Sequence, residues 1–150
     1  MEKICFFTEG VSFTLPTPEA TAAWLQTVIT QESCVLVHIN FIFCSDSYLH
    51  AHNLQYLQHN TLTDILTFDY ADTPRAIEGD IYISIDRVKD NAKTWQQPFT
   101  QELHTVMVHG VLHLIGYDDQ TPADKAQMRK KEAKYVAQNK YLPTVVDNLS

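Results

Sequence analysis

Two histidines stand four residues apart in the segment His109-Gly110-Val111-Leu112-His113-Leu114-Ile115-Gly116-Tyr117-Asp118-Asp119. On an α-helix that spacing puts both side chains on one face, one turn apart. Both imidazoles can then reach one ion through bonds of ~2.0–2.1 Å. Gly116 falls where such a helix would end, and a glycine just past the last turn takes the left-handed conformation that reverses the chain. The reversal would bring Asp118 or Asp119 back toward the histidines. Two histidines and a carboxylate, with one position left for a water, suit zinc or another divalent transition metal. The other histidines say less. His38 lies in an alternating apolar stretch, His50 and His52 point in different directions on a helix, and His104 diverges from the face of His109.

A helix must carry this pair. From Thr100 onward, Leu103, Val106, Met107, Gly110 and Leu114 mark its buried side. Thr121-Pro122 then supplies a cap and a proline at the first helical position, opening a last helix to about Gln138. Upstream, residues 3–7 form a short strand, and Thr17-Pro18-Glu19 starts a helix, capped by Thr17, that ends near Gln31. Residues 34–44 are β-branched and aromatic, with Val35, Val37, Ile39, Phe41 and Phe43 as one apolar face. Ser45 or Asp46 caps a helix through Leu49, Leu54 and Leu57. Residues 65–70 are a strand, 71–78 a loop, and Gly79 opens a strand through Ile85. Asp86 caps a helix through Val88, Ala92 and Trp95. With no repeat and no linker, residues 1–150 read as a single α+β domain.

Composition agrees. The chain has 150 residues, 45% hydrophobic and 19% charged, enough to bury a core. Four glycines and six prolines exclude collagen-like and low-complexity chains, and 11% aromatic residues argue against disorder. No apolar run approaches the ~20 residues that span a bilayer. The N-terminus lacks the features of a signal peptide, so a cytoplasmic location is expected. Cys5, Cys34 and Cys44 contain no CxxC pair; on one strand Cys34 and Cys44 would lie ~30 Å apart, so reduced thiols are expected. The net charge of −7 argues against blanket neutralisation of nucleic-acid phosphates. It is unevenly spread, with +5 between Lys125 and Lys140 and −12 elsewhere. In that last helix Met128, Glu132 and Tyr135 share the inner side, which leaves Lys125, Arg129, Lys130 and Lys134 outward.

The stretch His109–Asp119 resembles the signature HGxLHLxGYDH of the YbeY family of bacterial endoribonucleases and rRNA maturation factors. It matches at His109, Gly110, Leu112, His113, Leu114, Gly116, Tyr117 and Asp118. Thr63-Asp64-Ile65-Leu66-Thr67-Phe68 resembles the family's TDVLSF strand, and Gly79-Asp80-Ile81-Tyr82-Ile83-Ser84 its GDIxIS strand. Met128 and Glu132 fall where the family often has Met and Glu. The resemblance covers nearly the whole chain. It implies a small mixed sheet flanked by helices, a zincin-like metal helix with three zinc ligands, and an RNA substrate. His109 and His113 match the first two ligands. The third family ligand is a histidine, and Asp119 stands in its place. Aspartate binds zinc at ~2.0–2.2 Å, but its charge makes a bound water less acidic and slightly favours harder metals. Asp118 is the substitute candidate. The family's Arg-Gly-Lys run is replaced by Leu57, Gln58 and His59. Leu57 cannot contact phosphate as an arginine does, while His59 could stand in for the lysine as a cation or proton donor.

The activity so implied is that of a metal-dependent endoribonuclease specific for single-stranded RNA, acting in rRNA maturation and ribosome quality control. Its water would be held by zinc on His109, His113 and Asp119; the spacing names no general base. His59, Thr63, Asp64, Asp80, Arg129 and Lys130 are the candidate substrate-binding residues, with Ser84 beside them as a further polar groove residue. The partners expected are ribosomal RNA, the small ribosomal subunit and ribosome-associated proteins, with neither membrane nor DNA. One alternative is a non-catalytic ribosome-associated factor with a structural metal, an idea fed by the missing arginine. Another is a metalloprotease, which needs a glutamate directly after the first histidine. Gly110 occupies that position and takes no proton.

Overall fold

A computed structural model describes residues 3–52 and 64–139. The elements run β1 (Ile4–Glu9), α1 (Pro18–Gln31), β2 (Val35–Cys44), α2 (Asp46–His52), β3 (Ile65–Asp69), β4 (Ala76–Ser84), α3 (Ile85–Thr94), α4 (Phe99–Ile115) and α5 (Pro122–Ala137). The strands form one mixed sheet in the order β1-β2-β4-β3. β1, β2 and β4 run parallel, and β3 pairs antiparallel with β4. This is the α+β fold that the sequence implies. The positions given above to Leu54, Leu57, His59 and Thr63 lie outside the described residues.

Several local expectations need correction. In β2 the register against β4 shifts between Leu36 and His38, which changes the inward phase. Leu36 is buried while Val35 and Val37 are exposed, so the odd-numbered face holds only for Ile39, Phe41 and Phe43. β4 begins at Ala76 rather than Gly79, because the segment keeps pairing with the start of β2. Ser84, not Asp86, caps α3, accepting from the Arg87 amide at 3.1 Å, and Asp86 lies in the first turn. Thr17 precedes α1 with φ 47° and makes no side-chain cap bond; Pro18 at the helix start supplies the fixed φ.

One face of the sheet carries the main core. Trp24, Leu25, Val28 and Ile29 of α1 and Leu103, Met107, Val111 and Leu112 of α4 pack over Ile39, Phe41, Ile77, Ile81 and Ile83. α4 is buried nearly all round, as a helix apolar on most sides must be. A Cβ on Gly110 would lie 2.9 Å from both Ile65 Cδ1 and Ile81 Cγ2. The missing side chain therefore lets α4 lie close against β3 and β4. α5 covers α4 through Met128 and Tyr135, and Trp24 Nε1 donates to the Tyr135 carbonyl at 2.9 Å. On the opposite sheet face Cys44, Leu49 and Leu66 form a smaller cluster. All three cysteines are free, and burial together with Asp46, Asp86 and Glu9 pushes the Cys44 thiol up to about 12. Among the described residues no helix is long and apolar enough to cross a membrane.

Candidate metal centre

α4 stops because Gly116 adopts φ 125°, a conformation that side-chain-bearing residues rarely take. The Tyr117 amide then bonds back to the Leu112 carbonyl at 3.0 Å, the wrap that closes a helix on a glycine. This reversal returns the chain along the face that holds His109 and His113, whose rings sit 4.6 Å apart at 75°. Asp119 Oδ2 arrives 3.4 Å from His109 Nε2 and 3.5 Å from His113 Nε2. Asp118 turns away, its Oδ1 accepting from the Asp119 amide at 2.9 Å. Asp119 thus fills the position between the histidines that the sequence left open to either acid.

Those separations exceed the ~2.7–3.2 Å of a good hydrogen bond. They match a different geometry. Two bonds of ~2.0–2.1 Å meeting at a tetrahedral angle set their donor atoms ~3.4 Å apart. His109, His113 and Asp119 offer one donor atom each, all within 4.8 Å of one another, and together could hold a metal ion. All three side chains are partly exposed, at 21%, 25% and 40%, which leaves a side of the group open to solvent.

Charge is concentrated around His109. Its Nδ1 meets Glu132 Oε2 from α5 in a short contact. Burial works against a charged ring, but that hydrogen bond, with the charges of Glu132, Asp119 and Asp64, raises the His109 pKa overall. Asp64, beside the start of β3, is part of the same environment. Burial pushes its carboxyl up against the pull of His109, and Glu132 and Asp119 add to the push. Glu102, nearly buried on α4, is raised first by burial, opposed by its hydrogen bond from Gln97.

A second carboxylate fixes the turn. Glu32, just after α1, accepts from Tyr117 Oη at 2.6 Å, from Lys131 Nζ at 3.0 Å and from Tyr135 Oη. Tyr117 lies two residues before Asp119, so this junction ties the ligand turn to α1 and α5. Burial works to raise the Glu32 pKa, but the three donors and the Lys131 charge hold it below the ordinary 4.5. The stability from this depressed pKa is complete above the ordinary value and is lost as pH falls through the lowered one. Glu32→Gln is therefore expected to cost about 1–3 kcal/mol at neutral pH. Its melting temperature should also fall less steeply than wild type's between pH 5 and pH 3, roughly the carboxylate range. Parallel melting curves across that range would show that Glu32 does not carry the effect.

The other candidates are placed as follows. Asp80 alternates with Gly79 and Ile81, the residues that meet α4, and so faces the opposite side of the sheet. There it accepts from Asn40 Nδ2 and Tyr70 Oη, both at 3.1 Å, and is not brought to the centre. Ser84 is buried and bonds Asp46 Oδ1 at 2.6 Å, which gives it a part in the β4–α3 junction. Arg129 and Lys130 are exposed on α5, the helix whose inner side supplies Glu132. His59 and Thr63 lie outside the described residues. The sequence reading left Glu132 and Glu32 out of the site. Glu132 carries a usable signal, an acid between Met128 and Tyr135 on the buried stripe of α5. Glu32 carries none, since its partners come from the other end of the chain.

A mixed four-stranded sheet, with a buried helix that presents a histidine pair to a carboxylate on the following turn, defines an α+β domain with a candidate metal centre. The comparisons with known proteins make this specific. The sequence profile described as Endoribonuclease YbeY matches residues 11–140. The chain is 56% identical over 137 residues to the Endoribonuclease YbeY of Amoebophilus asiaticus, covering 91% of this chain and 93% of that one. It is 46% identical over 131 residues to the Endoribonuclease YbeY of Cytophaga hutchinsonii, covering 87% and 92%. The solution structure of TM1509 from Thermotoga maritima superposes with a TM-score of 0.64 at 28% identity, covering 90% of this chain and 87% of that one. The chain belongs to the YbeY family.

Proposed function

We propose that this protein is a metal-dependent endoribonuclease, a single domain that cleaves single-stranded RNA during rRNA maturation and ribosome quality control in the cytoplasm. The observation that carries the reading is the meeting of His109, His113 and Asp119 at the donor spacing of a tetrahedral ion, in a chain whose relatives are named endoribonucleases. Zinc bound there would supply Lewis acidity toward a phosphodiester and the water that attacks it. The protein's own work is to hold the donors in place. α4 fixes two donors on one rigid face, and the Gly116 turn delivers the third. Asp119 contributes a negative charge that moderates the acidity of the site. Gly110 leaves no carboxylate beside the first histidine, so protein cleavage of the zinc-protease type lacks its base.

RNA is held, in this reading, by the exposed cations of α5 rather than by an arginine at position 57. Arg129, Lys130 and Lys134 lie on the outer face of the helix that touches the metal centre through Glu132. Replacing all three with Gln should weaken binding to small ribosomal subunits. The slope of log affinity against log salt should flatten by about 2–3, as each lost phosphate contact removes ~0.7–0.9. An unchanged slope would remove α5 from the RNA surface.

The reading as a whole is tested by metal removal. Zinc-loaded protein should cut a single-stranded RNA oligonucleotide and spare a duplex of the same sequence. Chelation should abolish cutting, and added zinc should restore it. If the zinc-loaded protein leaves RNA intact while chelation lowers only its melting temperature, the metal is structural and the nuclease reading is wrong.

A further inference from the structure

The geometry points to Glu132 as the positioning residue of the metal centre. It acts through His109, whose Nδ1–H donates a hydrogen bond to the Glu132 carboxylate, and so it holds Nε2 bare and aimed at the ion. This inference rests on the metal reading above. Four observations carry it. First, Glu132 Oε2 contacts Nδ1, the nitrogen that faces away from Asp119, while Nε2 of the same ring lies 3.4 Å from Asp119 Oδ2. The two ring nitrogens thus have separate duties. Second, Glu132 is not one of the residues whose donor atoms converge on the ion position, so it sits behind the ring and is not a fourth ligand. Third, its carboxylate is 14% exposed and its place is set by rigid elements. Met128 and Tyr135 are buried to either side of it on α5, and Trp24 and Glu32 bond the backbone and hydroxyl of Tyr135. Fourth, the two histidines are unequal. Among the described residues none accepts a hydrogen bond from His113 Nδ1, and the ion-pair and ring contacts of His113 are those with Asp119 and the His109 ring.

The physical consequence follows from imidazole chemistry. A neutral imidazole carries one proton, and the partner of one nitrogen decides which nitrogen keeps it. A carboxylate on Nδ1 leaves the Nε2 lone pair free, prevents rotation of the ring and raises its basicity, all of which strengthen a metal bond. His109 is then the anchored ligand. His113 reaches the same ion with its ring orientation set only by the ion and by packing.

The test uses the full-length protein in wild-type, Glu132→Gln and Glu132→Ala forms. Zinc affinity is measured by chelator competition, and the histidine ring nitrogens are observed by 15N NMR of the metal-free protein at alkaline pH, with the rings neutral. Glu132→Ala should bind zinc about 10–100-fold more weakly than wild type. Glu132→Gln, which keeps an oxygen acceptor without the charge and preserves the shape, should fall between the two. In wild type the His109 spectrum should show the proton on Nδ1. In Glu132→Ala it should shift toward Nε2, while His113 is unaffected. Wild-type zinc affinity in Glu132→Ala, or an unaltered His109 tautomer, would overturn the assignment. If wild type itself takes no zinc, the metal reading fails, and the tautomer measurement still decides whether Glu132 governs His109.

Discussion

His113→Ala removes bound zinc and RNA cleavage together while leaving the fold nearly as stable as before. That is the expected result, and His113 is chosen over His109 for a structural reason. The His113 side chain is 25% exposed, and its ring nitrogens have no bonded partner among the described residues beyond the 3.5 Å approach to Asp119. Truncating it strands no buried hydrogen-bonded donor, so the cost should stay near the ~1 kcal/mol of an ordinary point substitution. His109→Ala would also release the Glu132 carboxylate, mixing a folding defect with a metal defect. Losing one of three ligands should cost more than losing a partner behind a ligand, hence more than about 100-fold in zinc affinity. The checks are metal content of the purified variant, its cleavage of single-stranded RNA and its melting temperature without metal. Full zinc occupancy, or wild-type cleavage, would detach His113 from the chemistry.

The second large effect concerns stability. Gly79→Ala should lower the melting temperature by about 10 °C or prevent folding. Gly79 lies in the interior of β4, between Ile39 on one side and Asp69 on the other. A Cβ there would come 2.3 Å from the Phe68 carbonyl oxygen and 3.1 Å from Leu114 Cδ2. The leucine can give way, but a backbone oxygen in a paired strand cannot. Relief requires β3 to part from β4 or α4 to lift at its last turn. Overpacking a core costs typically about 1–3 kcal/mol, and a clash with backbone belongs at or beyond the upper end. At about 2–4 °C per kcal/mol for a chain of this size, the melting shift follows. Because Leu114 adjoins His113, whatever protein folds should also hold zinc poorly. A melting temperature within about 2 °C of wild type would show that the strands absorb the methyl group.

What could be read from the sequence was local in its causes. The histidine pair needs only the helical period, and the turn after it needs only Gly116. The starts of α1 and α5 are written in Pro18 and Pro122. The family blocks add the pairing of strand and ligand helix. Other features depend on distant contacts. The phase change in β2 comes from its register against β4, and nothing in Val35-Leu36-Val37 announces it. Ser84 displaces Asp86 as the cap of α3 because its hydroxyl also meets Asp46, 38 residues earlier. Asp80 sits in a family block, yet the alternation of β4 turns it away from α4. Glu132 shows its inward place on the stripe of Met128 and Tyr135, but its partner lies 23 residues away. Glu32, whose partners lie 85 or more residues away, shows nothing in any local window.

The Glu32 junction and the Trp24–Tyr135 bond also bear on the order in which the protein assembles. A chain is synthesised from its N-terminus, and long-range contacts are the slow ones to form. Glu32 and Trp24 are made early, yet their partners Lys131 and Tyr135 follow 99 and 111 residues later. A growing chain displays His109, His113 and Asp119 before it has made Glu132. For that interval the three donors are present without the helix that braces them. On the proposed metal reading, secure retention of an ion would be acquired only when α5 has been made and docks against α1 and α4.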